Sequence, residues 1–218
     1  MRRRSEARRR EAAARRERAQ EFGRVVAERL GAADITVSRI WGFGSTYETS
    51  RPYRLGLLRA ELEHDFSIIC ENAGKNRAMT ARLAQTAAPD EFDYAALGYT
   101  LHNLYSAFEG YFLRVAKFFE NELESEGWHE SLLDRMTLAV PELRPALIDR
   151  ALAERLRELL MFRHAFRNIY SSTPIPEKVL FVNRIAKKID EDFRQCHEQF
   201  TLFLDSLAQE LNDDTNYE

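Results

Sequence analysis

Residues 91–124 read EFDYAALGYTLHNLYSAFEGYFLRVAKFFENELE, and their reading decides the fold. Tyr94, Leu97, Leu101, Leu104, Tyr105, Phe108, Phe112, Val115 and Phe119 recur chiefly at spacings of three and four. That is the stripe of one helix face, not the alternation of a strand. Pro89-Asp90 precedes the stripe and Gly127 follows it, so the spacing predicts one long helix over 91–124.

The same period extends on both sides. Leu58, Leu62, Phe66 and Ile69 predict a helix from Leu55 whose pattern fades past Asn76. A short helix is expected over 130–138, then a loop bounded by Pro141 and Pro145. Residues 147–171 read as another long helix, broken by Pro174 and Pro176, and residues 179–210 as the last one. Four long helices with short links are the pattern of an all-α, up-and-down four-helix bundle.

The composition agrees. Among 218 residues, 44% are hydrophobic and 31% charged, with 9 Gly and 6 Pro, which suits a helical globular chain and excludes disorder throughout. The net charge of −3 argues against a general nucleic-acid binder, but the charge is uneven. Residues 1–30 hold eleven Arg and five Glu, net +6, which leaves −9 for the rest. No apolar run approaches the roughly 20 residues of a membrane span. Cys70 and Cys196 lie far apart and share no ligand spacing with histidine, so reduced thiols in a cytoplasmic protein are expected, without metal or cofactor.

One segment resists the reading of a plain core. Residues 162–170 are FRHAFRNIY. On a helix Arg163 neighbours Arg167, and His164 neighbours Asn168, while Leu156, Leu159, Phe166 and Ile169 mark apolar positions beside them. Spacing alone leaves two readings open. The polar group lines a solvated face and pairs with nearby glutamates, or it floors a cleft with apolar walls, a place that suits an anion and above all phosphate.

Residues 53–208 resemble the HEPN superfamily, and more narrowly the HepT-like ribonuclease toxins. The resemblance runs through YTLHNLYSAFEGYFLRVAK at 99–117, GWHESLLDRM at 127–136, VPELRP at 140–145 and LLMFRHAFRNIY at 159–170. It implies a helical HEPN bundle acting as a homodimer or higher even oligomer. In that family an Arg–polar motif followed by histidine cuts RNA without a metal, and in HepT-like toxins a tyrosine lies two residues after the histidine. Carried over, Arg163 is the motif arginine, His164 the polar residue and Tyr170 the tyrosine. The histidine position holds Asn168, a departure from the pattern.

That departure bears on the chemistry. Cleavage removes the 2′-hydroxyl proton, stabilises a charged phosphorane and protonates the 5′-oxygen; the 2′-hydroxyl makes RNA the substrate. Histidine can carry a proton near neutral pH, and an amide cannot. Arg163 and Arg167 are therefore expected to bind phosphate, Asn168 to position it, and His164 to carry the proton. The alternative is a catalytically impaired HEPN module that binds RNA or an antitoxin without cleaving. The resemblance also implies a partner, a minimal nucleotidyltransferase antitoxin that adenylylates Tyr170.

Residues 39–52, RIWGFGSTYETSRP, resemble the opening of just such a transferase: a helix, a strand over 35–43, then the pair Gly44-Ser45. No Asp-x-Asp follows, and the next aspartate past the pair, Asp65, lies in a helical pattern. Without two carboxylates the segment cannot hold the Mg²⁺ of phosphoryl transfer. It reads as a degenerate remnant or as a docking arm. The expected organisation is thus 1–52, an Arg-rich helix plus strand; 53–212, the HEPN bundle; and 213–218, a tail. His64, His102 and His197 read as core or surface residues, and His129 as a cap or packing group beside a possible RNA contact.

Overall fold

The computed structural model describes residues 51–120, 128–141, 143–167 and 175–215. The Arg-rich segment, the expected strand at 35–43, Gly44, Ser45, Gly127, Asn168, Tyr170, Pro174 and the side chain of His129 lie outside the described residues. What is described is all-α. Six helices follow in order: α1 Arg51–Gln85, α2 Glu91–Phe119, α3 Trp128–Met136, α4 Arg150–Arg167, α5 Pro176–Ala186 and α6 Ile189–Thr215. Among the described residues there is no strand, only one isolated bridge between Val140 and Arg144.

The contacts divide the chain into two compact units. The larger holds Leu57–Thr137 and Leu147–Glu198. Residue pairs within it give the helix directions. Asp65 meets Arg114, and Asn76 meets Thr100, so α1 and α2 run antiparallel. Glu109 meets Arg163 while Gly98 lies against Phe166, so α2 and α4 are antiparallel. Arg77 meets Asp190 and Glu63 meets His197, so α1 and α6 are antiparallel as well. The result is the up-and-down order expected of the long helices. Leu62, Ile69, Leu97, Leu101, Leu104, Phe108, Phe112, Leu156, Leu159 and Phe193 have no exposed surface and form the core. In the smaller unit, Leu55 and the α6 residues Phe200, Phe203, Leu204 and Leu207 are buried. So is Arg144, whose Nη1 donates to the carbonyls of Leu138 and Pro145 at 3.0 and 3.2 Å.

The boundaries have local causes. Asp90 caps α2: its Oδ1 accepts from the Phe92 and Asp93 N–H groups at 2.9 and 3.1 Å, and the Asp93 carboxylate accepts from the Asp90 N–H. Asp149 caps α4, accepting from the Leu152 N–H at 2.8 Å. Helix α2 closes at Phe119 with Glu120 as its C-cap, and residues 121–124 of the expected helix lie outside the described residues. Helix α1, by contrast, runs past Asn76 to Gln85. Its inner stripe turns polar there instead of ending. The Asn76 amide donates to Thr100 Oγ1 and Asn183 Oδ1, both at 3.0 Å, and Leu83 resumes the buried stripe.

One expectation is corrected. The single helix predicted over 179–210 is two, α5 and α6, separated at Lys187 and Lys188. Lys188 takes a left-handed φ of 61°. The break is stabilised from outside. Arg155 on α4 donates through Nε and Nη2 to the Ile185 carbonyl and through Nη2 to the Lys187 carbonyl at 2.7 Å, satisfying acceptors that a helix end leaves open. Its Nη1 also contacts Asp192 at the start of α6.

Candidate functional site

Helix α4 buries Leu152, Ala153, Leu156, Leu159 and Leu160, and the same stripe continues to Arg163. The arginine therefore occupies a core-facing position. Only 9% of its side-chain surface is exposed, and the same holds for Glu109 on α2. Arg163 Nη2 donates to Glu109 Oε2 at 2.8 Å. The guanidinium also lies 5.8 Å from the centre of the buried Tyr105 ring. Burial, and then the Glu109 charge, push the Tyr105 phenol well above its ordinary value, with Arg163 opposing. Arg163 Nε and Nη1 are buried and meet no hydrogen-bond partner.

Two other members of the predicted quartet separate from it, while Asn168 lies outside the described residues. His164 and Arg167 are exposed. A helix advances about 100° per residue, so an arginine pointing inward sends its next neighbour toward the rim. Phe162 and Phe166 stack with ring centres 5.5 Å apart and are part-exposed. They lean on Gly98 of α2. A Cβ built there would come within 2.7 Å of Phe166 Cε2 and 3.4 Å of Phe162 Cζ. Glycine is what allows the rings so near the α2 backbone.

A third group enters from α2. The His102 ring sits 6.0 Å from Phe166, centre to centre. Its Nδ1 is buried without a hydrogen-bond partner, while the residue as a whole is part-exposed. Burial and the nearby charges of Arg163 and Arg167 hold the imidazole below its ordinary 6.5, with Glu109 opposing, so the neutral ring is favoured. Arg163, Glu109, Tyr105, His102, Phe162, Phe166 and Gly98 thus form one layer between α2 and α4. It combines a buried cation with unmet donors, a neutral imidazole and part-exposed aromatic walls.

Glu109 and Gly98 were not among the residues singled out from sequence, and His102 was read there as an ordinary core or surface residue. Glu109 carried a readable signal. It is a lone carboxylate one turn after Tyr105 on an apolar stripe, and it calls for a cation on the facing helix.

Other polar groups have structural roles. His197 is buried, accepts or donates at Nδ1 with the Tyr111 hydroxyl at 3.0 Å, meets Glu63 through Nε2 at 3.1 Å and stacks on Phe66 at 4.3 Å. Burial holds it below 6.5 despite Glu63. Burial raises both thiols, Cys196 to about 11. An open groove of about 390 Å³ between α1 and α2 is lined in part by Leu58, Leu113, Phe118 and Arg114, but Arg114 is already engaged by Asp65 at 2.6 Å and Glu61 at 3.1 Å. Among the described residues no helix is long and apolar enough to cross a membrane, and no group of three His, Cys, Asp or Glu side chains could hold a metal ion.

A family model described as HepT-like protein covers residues 96–204, half of the chain, from α2 into α6. No curated protein and no solved structure matches.

Proposed function

This chain belongs to the HepT-like family, and from that premise we propose that it is the toxin of a toxin–antitoxin pair, a metal-independent RNA endonuclease working as a homodimer. The observation that carries the reading is Arg163. A guanidinium more than nine-tenths buried, with Nε and Nη1 unmet, is expensive to keep in a fold. Glu109 fixes its orientation and leaves those two donors unspent. Donors held ready for charge that develops during reaction are the usual device for stabilising a phosphorane.

In this reading two copies bring their α4 ends to one cleft. The 2′-oxygen attacks phosphorus, the bond from phosphorus to the 5′-oxygen breaks, and a 2′,3′-cyclic phosphate and a 5′-hydroxyl result. Arg163 and Arg167 stabilise the phosphorane, Asn168 positions it, and His164 carries a proton. A nucleotidyltransferase antitoxin silences the site by transferring AMP to the Tyr170 hydroxyl. The added phosphate opposes RNA and occupies the arginines. Induced expression should arrest growth and degrade RNA, and Arg163→Ala should relieve both. The reading fails if the purified protein leaves every RNA intact. Co-expression with a minimal nucleotidyltransferase antitoxin should add the mass of one adenylyl group at Tyr170.

A second reading rests on Asn168. With an amide at the motif histidine, the chain is a module that binds RNA or the antitoxin without cutting. Cleavage that appears only in Asn168→His favours that alternative.

A further inference from the structure

We infer that His102 of α2 supplies the proton-accepting imidazole of this site, a role the motif position held by Asn168 cannot fill. The inference rests on the ribonuclease reading and deepens it.

Three observations meet at His102. It is the histidine that the structure brings into the layer with Arg163, Phe162 and Phe166, whereas His164, next to Arg163 in sequence, is exposed on the rim. One ring nitrogen, Nδ1, is buried with no hydrogen-bond partner among the described residues, an unmet group that packing alone does not explain. A histidine kept only for packing ordinarily satisfies its buried nitrogen, as His197 does with Tyr111 and Glu63. Finally, its charged neighbours are mostly cations: Arg163 and Arg167 from α4, against Glu109 two turns along α2. Burial and those cations keep the ring neutral near pH 7, the form a general base needs.

The step balances with two histidines. The His102 imidazole takes the 2′-hydroxyl proton as the oxygen–phosphorus bond forms. The bond to the 5′-oxygen breaks, and protonated His164 gives its proton to that oxygen. The products are the cyclic phosphate, the 5′-hydroxyl, a protonated His102 and a neutral His164; exchange with water restores both rings.

The test uses the full-length protein and a single-stranded RNA with a labelled end. His102→Gln is compared with wild type, with Arg163→Ala, and with His64→Gln as a control on the exposed face of α1. The expected result is a fall in kcat of roughly 100-fold or more at little-changed KM, with the helical circular dichroism retained and the control at full rate. The wild-type rate should rise with pH through a midpoint below 6.5, and that limb should vanish in His102→Gln. If wild type cleaves and His102→Gln cleaves equally well with the same pH profile, the inference is overturned while the ribonuclease reading stands. If wild type cleaves no RNA, both go. Should His102→Gln not fold, the wild-type profile decides alone: a rate flat between about pH 5 and 8 overturns the assignment.

Discussion

Replacing Glu109 with leucine removes the acceptor that orients Arg163 and leaves a guanidinium in the α2–α4 layer with nothing to offset its charge. The geometry sets the magnitude. Both side chains are 9% exposed, so water screens neither. Nε and Nη1 are without partners already, and the substitution takes the acceptor from Nη2. Breaking a buried pair from one side costs about 3–5 kcal/mol. In a chain of this size that lowers Tm by roughly 6–20 °C. Arg163→Met removes the guanidinium from the buried Glu109 carboxylate and should also destabilise the fold. The double variant Arg163→Met/Glu109→Leu exchanges the pair for apolar groups of similar volume, and it should return to within about 1 kcal/mol of wild type or exceed it. Urea unfolding of all four proteins measures the cycle. Singles that each cost less than about 1 kcal/mol, or a double that loses the sum of both, refute the buried pair. The double variant is informative about function too. A stable fold that has lost its action on RNA shows that the charges are kept for chemistry, not for holding the helices.

Further outcomes follow from other groups. His197 is held below its ordinary 6.5, so over that window the unfolded chain binds more protons than the folded one. Its contribution is complete above pH 6.5 and declines as pH falls below it, and His197→Gln should flatten that decline in urea midpoints measured across the range. With the Cys196 thiol raised to about 11 and Cys70 raised as well, both should react slowly with a disulfide reagent at neutral pH and quickly once urea unfolds the chain. Asp90→Ala removes the capping box of α2 and should cost about 0.5–2 kcal/mol in the same unfolding assay. Arg167→Ala should weaken RNA binding and reduce its salt dependence by about one released counterion, with little change in Tm, because the side chain is exposed.

The helices were legible because they bury apolar stripes of one period. Leu97, Leu101, Leu104, Phe108 and Phe112 have no exposed surface, as their spacing required. What local pattern could not reveal was set by partners distant in sequence. Nothing between Val179 and Leu211 is a glycine or proline, yet the chain breaks at Lys188, because Arg155, some 30 residues earlier, takes the carbonyls of Ile185 and Lys187. The run after Asn76 looked like a fading helix because its inward groups are Asn76 and Thr80. Their partner, Asn183, is more than 100 residues away, at 3.0 and 3.2 Å. The candidate site divides in the same way. Arg163 was visible as a cation amid apolar residues. His102 was passed over because a lone histidine on a helix carries no local sign of what faces it.

The division between Arg163 and Arg167 has a consequence for how charge works on this face. Arg163 is matched by Glu109, so at distances beyond the pair its field is largely cancelled. On the ribonuclease reading, the attraction that draws RNA from solution must then come from exposed cations such as Arg167. On that reading Arg163 acts at short range, through the direction of its unmet N–H groups rather than through its net charge. On the ribonuclease reading, two arginines one turn apart take different tasks because Arg163 packs against Glu109 of α2, while Arg167, the last residue of α4, stays exposed. If the ribonuclease reading holds, Arg163→Ala should therefore lower kcat, and Arg167→Ala should lower the association rate with RNA in a salt-dependent way.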